Sequence, residues 1–258
     1  MLSTSSHSSV LYQAWLLGLL LMLPSTAFSA GRGAAIDQDE VIAWGTAFSF
    51  SIEGGYVVGG EVTILERPDL GTAITDERGG FEFGGLIPGE EATFLLTAPG
   101  FHPTQTGTHI IPESGLPHMN FQAPPDLIFQ AFTLWLRSFP SPRDCQVAST
   151  VVRAGASPYE VPHGLGGATV SITPDGAYDE GPIYFQYLSD DIIVPVYYLD
   201  ETTVDGGVLF LNLEPGDYTL RAHKEGETFS DAKIRCRAGV LVNAAPPYGL
   251  QALPNEWE

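Results

Sequence analysis

The chain has 258 residues, with 11 Lys and Arg against 31 Asp and Glu, for a formal net charge of −20. A field of that sign repels phosphate backbones and argues against a nucleic-acid partner. Gly (29) and Pro (20) are abundant and only 16% of residues are charged, which suits many short strands joined by turns and not helical packing.

Residues 1–29 read as a cleaved signal peptide. Trp15 to Leu23 is a nine-residue apolar run stopped by Pro24 and followed by small residues. It is too short to cross a bilayer, which takes roughly 20 apolar residues, and it fits a signal core. Cleavage after Ala27 or Ser29 satisfies the small-x-small rule. The segment before it departs from the usual pattern, because no Lys or Arg precedes Arg32. No later segment is apolar enough to span a membrane. The expected product is exported: periplasmic, cell-surface or extracellular.

The first β-sandwich is expected over 42–123. Ala43 to Ile52 supplies its opening strand and Met119 to Gln122 its last. Asp76 to Gly80 is turn material, since Gly tolerates positive φ and Asp bonds its own backbone. Phe81 and Phe83 then fall on one face of a strand at period two, with Glu82 on the other. Leu86 closes that strand before Pro88-Gly89 turns the chain into a strand over Ala92 to Ala98.

A helical connector is expected over 124–143. Asp126 is the expected N-cap and Pro140 the stop. Leu127, Ile128, Ala131, Leu134, Trp135 and Phe139 form a wide apolar face, expected to pack between the sandwiches. Phe129, Phe132 and Leu136 leave little polar surface, so a partner or membrane surface is the alternative.

The second sandwich is expected over 144–253, opening with Cys145 to Arg153. It repeats the first. Without gaps, Thr75, Gly79, Gly80, Phe83, Leu86, Pro88 and Gly89 fall on Thr202, Gly206, Gly207, Phe210, Leu213, Pro215 and Gly216. Upstream, Gly59-Gly60-Glu61-Val62-Thr63-Ile64 is similar to Gly167-Ala168-Thr169-Val170-Ser171-Ile172. Between strand and hairpin the second copy carries 29 residues against 10 in the first. This insertion, 173–201, holds Tyr184, Tyr187, Tyr197 and Tyr198. The fold class is therefore all-β, two tandem Ig-like sandwiches with one helix. Cys145 and Cys236, the two cysteines, lie at the start and near the end of the second sandwich. In an oxidising compartment they are expected to pair.

The pattern of Gly60-Glu61-Val62-Thr63-Ile64, then Thr75-Asp76, Gly79, Phe81, Phe83, Leu86 and Pro88-Gly89, then Ala98-Pro99-Gly100-Phe101, resembles the carboxypeptidase regulatory-like domain. The likeness covers about 45 residues. It implies a transthyretin-like sandwich that is accessory and non-catalytic, in exported proteins. The second copy departs from the pattern: Thr203 stands in place of the Asp, Val208 in place of the first Phe, and the insertion intervenes.

Catalytic signatures are missing from the sequence. His102, His109 and His118 would converge on a metal only if neighbouring strands gathered them; their spacing matches no standard ligand motif. Acidic turns at Asp175 to Glu180, Asp190-Asp191 and Asp200 to Asp205 are calcium candidates without the alternating ligands of a twelve-residue loop. No other cofactor is expected. The insertion tyrosines are the candidate ligand contacts, since exposed aromatics stack on sugar rings or anchor proteins. The sequence thus points to a non-catalytic module contacting a protein or polysaccharide. The alternatives are an accessory subunit docking through the helix and a metal enzyme using the three histidines.

Overall fold

A computed structural model describes residues 40–50, 54–153, 155–156, 164–189 and 192–254. The expected signal peptide and its cleavage sites, and Asp190 and Asp191, lie outside the described residues.

The first half folds as a sandwich. Its smaller sheet orders β4 (Gly80–Leu86), β1 (Val41–Ser49) and β7 (Phe121–Ala123), with β1 and β7 parallel. Facing it are β3 (Thr72–Ile74), β2 (Glu61–Ile64), β5 (Glu91–Thr97) and β6 (Thr104–Ile110). Alternation decides which side chains go inside: Phe81 and Phe83 of β4 meet Phe94 and Phe121 in the core, while Glu82 faces out. Gly45 of β1 has no substitute. A Cβ there would lie 1.9 Å from the Met119 carbonyl oxygen, because 116–119 crosses directly over the strand.

The second half repeats the core of this plan, without a counterpart of β3. β12 (Gly207–Leu213), β8 (Cys145–Val152) and β15 (Leu241–Ala244) correspond to β4, β1 and β7, and again the last pair is parallel. β9 (Thr169–Thr173), β13 (Gly216–His223) and β14 (Ala232–Cys236) form the facing sheet. A buried threonine marks the repeat most clearly. Thr75 Oγ1 accepts the Gly60 N–H (2.8 Å) and donates to the Val57 carbonyl (2.6 Å). Thr202 Oγ1 likewise accepts the Ala168 N–H (3.0 Å) and donates to the Leu165 carbonyl (2.6 Å). Gly79 and Gly206, at φ 71° and 76°, occupy equivalent turns where a Cβ would strike the carbonyl oxygens of Ala47 and Val151.

The two halves are not beads on a linker. β15 pairs in parallel with β6 of the first half as well as with β8, so with β10 (Glu180–Ser189) and β11 (Ile192–Val196) one continuous sheet runs β11-β10-β12-β8-β15-β6-β5-β2-β3. A short β16 (Leu250–Gln251) pairs with the far end of β8. β15 turns Val242 and Ala244 into the second core and Leu241 and Asn243 to the opposite face. The two three-stranded sheets therefore cover opposite faces of the shared one. Across the seam, Arg235 reaches Glu91 (3.0 Å), Arg237 reaches Glu66 (2.8 Å), and Gln105 Nε2 donates to the Arg235 carbonyl (2.7 Å). The Cys145–Cys236 disulfide joins β8 to β14 through the second core, in accord with the sequence expectation.

The helix α1 (Asp126–Leu136) corrects the sequence reading in three ways. Pro125, not Asp126, occupies the N-cap, and no side chain caps the helix. The helix ends before Pro140, at Arg137, which takes a left-handed conformation (φ 55°). Its inward face is also the other one. Phe132 and Leu136 pack on Ile183, Phe185, Leu209 and Leu211, while Leu127, Leu134, Trp135 and Phe139 are exposed. The helix lies over the second half's stretch of the shared sheet, not between two cores. That stretch presents its own apolar row, so the i, i+4 pair turns to it, with Leu136 buried and Phe132 half-buried.

Candidate binding surface

The insertion forms β10 (Glu180–Ser189) and β11 (Ile192–Val196), a hairpin that extends the shared sheet beyond β12 to its edge. Period two sorts its tyrosines. Tyr184 points into the second core at 1% exposure, and its phenol oxygen accepts the Val170 N–H at 3.0 Å. It is a packing residue, which removes it from the candidate ligand contacts. Tyr187 is half-buried at the wall of a cleft beneath α1. Burial first, and then the Asp205 carboxylate, push its phenol pKa up.

Tyr197 and Tyr198 follow β11 and are 55% and 70% exposed. They meet Trp135 of α1, 54% exposed, in a shallow depression completed by Leu136 and Val196. Each ring is tied down at its polar end. Trp135 Nε1 donates to the Pro195 carbonyl at 2.9 Å. The Tyr197 hydroxyl meets the Leu136 carbonyl (3.1 Å) and the Glu180 carboxylate. The Gln186 amide donates to the Tyr198 hydroxyl. Burial, aided by Glu180, pushes the Tyr197 phenol up to about 12, so it stays a neutral donor across the physiological range. Three anchored rings with exposed surface form a preorganised aromatic patch. Trp135 was assigned from sequence to a packing face. One residue before Leu136, it is rotated off the stripe that Ile183, Phe185, Leu209 and Leu211 bury, and nothing in the helix's own sequence marks which of the two is buried.

The three histidines do not converge. His102 stacks on Phe129, with ring centres 3.7 Å apart, and burial lowers its pKa. His109 packs against Tyr248 at 5.2 Å, and burial pushes it down to about 4. His118 stands edge-on to Trp44 at 4.3 Å. Among the described residues, no group of three or more His, Cys, Asp or Glu side chains is arranged to hold a metal ion. The metal-enzyme alternative loses the cluster that motivated it, because each ring is occupied by a different aromatic neighbour. Of the acidic turns, Asp175 accepts the Gly176 N–H (2.9 Å) and Asp205 the Gly207 N–H (3.1 Å), as turn residues do. Among the described residues, no helix is long and apolar enough to cross a membrane.

No family model matches the chain, and no curated protein matches it. Among the solved structures that align distantly are a Bacillus protein and two pilins. The Bacillus anthracis TIE protein is 17% identical over 80% of this chain and 33% of its own, with a TM-score of 0.26. A streptococcal ancillary pilin is 13% identical, covering 85% and 64% of the two chains, with a TM-score of 0.22. BcpA, the major pilin subunit of Bacillus cereus, is 10% identical, covering 85% and 57%, with a TM-score of 0.24. This chain thus spans less than two thirds of each of these structures, and matches this distant assign nothing to it.

Proposed function

We propose that this protein is an exported, non-catalytic binding or structural module that contacts a protein or a polysaccharide through the patch of Trp135, Tyr197 and Tyr198. The observation that carries this reading is the anchoring: all three rings have their polar atoms bound within the protein and large exposed surface. Such rings lose little conformational entropy on contact, and Trp and Tyr dominate binding hot spots. The disulfide fits an oxidising compartment, which supports export. The likeness of residues 59–101 to the carboxypeptidase regulatory-like domain supports the same accessory role.

A second reading, docking to a partner subunit through the helix, is favoured by Leu127, Leu134 and Phe139, aliphatic and aromatic side chains exposed on or just beyond α1. The test is a glycan array and cross-linking in the native host, run in parallel with the wild type and a Trp135→Ala/Tyr198→Ala variant. Binding that falls at least about tenfold in the variant supports the patch, since two hot-spot aromatics carry more than about 1.4 kcal/mol. Binding retained by the variant refutes it.

A further inference from the structure

Beneath α1 a cleft of about 260 Å³ opens onto the shared sheet, with Leu136 between it and the aromatic patch. Its floor comes from β15, β8, β12 and β10, its roof from Phe129, Phe132 and Leu136, and one wall from Phe50 and Gln122 of the first half. Ala148 in the floor is half-exposed while its neighbours Val147 and Ser149 are buried, so open space begins at its methyl group. The volume compares with about 150 Å³ for an engineered apolar cavity that takes up benzene.

Several polar side chains that line this cleft are already bonded within the protein: Ser149 to the Ala244 carbonyl, Gln146 to Asn212 and Thr133 to the Gln130 carbonyl. Asn243 is 4% exposed, and its Oδ1 accepts the Gln122 N–H at 3.0 Å. Its Nδ2 is left without a protein partner among the described residues. Thr150, also buried, lies on the neighbouring strand β8 and lines the same cleft. A donor that lines an open cleft is available to a ligand or a water that enters it. Asp205 is the one charged side chain in the lining, and no Lys, Arg or His joins it. An anion would find no counter-charge there and a carboxylate against it.

We propose that this cleft binds a small uncharged molecule with an aromatic body and a carbonyl acceptor. The ring lies over Ala148 beside the edge-on pair of Phe132 and Phe185, whose centres are 6.1 Å apart, and the carbonyl takes the Asn243 amide proton. This inference is independent of the aromatic patch and of any macromolecular partner.

The test uses the purified full chain and acetanilide as the probe, with benzoate as the anionic counterpart, followed by protein methyl NMR. Acetanilide is expected to bind with saturable shifts of cleft methyls such as those of Ala148 and Leu209, and benzoate to leave them unmoved. Ala148→Leu fills the floor and abolishes binding; Ala148→Val, a smaller change, serves if the leucine variant does not fold. Asn243→Asp keeps an acceptor for the Gln122 N–H but replaces the donor, and weakens acetanilide by about tenfold, the factor for losing one buried hydrogen bond of about 1.4 kcal/mol. Absence of shifts in the folded wild type, equal affinity in a folded Ala148 variant, or benzoate binding as well as acetanilide would each overturn the proposal.

Discussion

β4 and β12 hold equivalent places in the two sandwiches, and their inward residues agree: Phe81 and Phe83 in one, Val208 and Phe210 in the other. Their outward residues do not. Glu82 and Gly84 face solvent in the first half, whereas Leu209 and Leu211 are buried beneath α1 in the second. The inward pattern is set by the shared plan of a sandwich, and the outward pattern by what covers the sheet. The second half has its helix on that face, its β10–β11 extension and its disulfide. The first half has none of these and is held along its edge by β15 of the second.

The largest expected difference concerns the disulfide, with 91 residues of sequence separation. A Cys145→Ala/Cys236→Ala variant should lose about 4 to 5 kcal/mol, the chain-entropy value for a loop of that length, read from the denaturant midpoint. Reductant should shift the wild type similarly and leave the variant unmoved.

Acid should act through the first half. The folded pKa of His109, about 4, lies below its ordinary 6.5, so on acidification the unfolded chain takes the proton first. Stability is therefore complete above pH 6.5 and is lost as pH falls towards 4, by no more than about 3.4 kcal/mol. His109→Gln should flatten this part of the stability profile measured between pH 7 and 4.5. An unchanged profile would assign the acid sensitivity to other groups.

The threonine pair tests the symmetry itself. Thr75→Val and Thr202→Val each strand a buried N–H and carbonyl, and each should cost about 1 to 3 kcal/mol, with the two values similar. A large difference would mean that the two copies no longer share one plan energetically. The smallest effect belongs to the seam: Arg235→Ala should cost less than about 1 kcal/mol and lose even that in high salt, because its pairs are partly exposed.

Much of this architecture was legible in the sequence because it follows from local rules. The duplicated Thr-to-Pro-Gly hairpin, the alternation in β4 and the two cysteines each constrain nearby backbone or a single covalent bond. What was not legible depends on contacts distant in sequence. Nothing in Leu241 to Ala244 tells that this segment pairs with Thr104 to Thr106, since four residues with both faces buried fit any sheet interior. The helix was legible but its orientation was not. Apolar residues nearly encircle it, and the choice between Trp135 and Leu136 as the buried one falls to the row of Ile183, Phe185, Leu209 and Leu211 beneath it. For the same reason only Tyr197 and Tyr198 of the four candidate tyrosines have more than half their surface exposed.

The central claim is that β6 and β15 weld the two sandwiches into one sheet. The most direct test is hydrogen exchange followed by mass spectrometry across a denaturant series, comparing peptides from β5–β6 with peptides from β12–β13. One welded unit predicts that both sets lose protection together, at the same denaturant concentration. Two separate steps, with either half still protected after the other has exchanged, would contradict it.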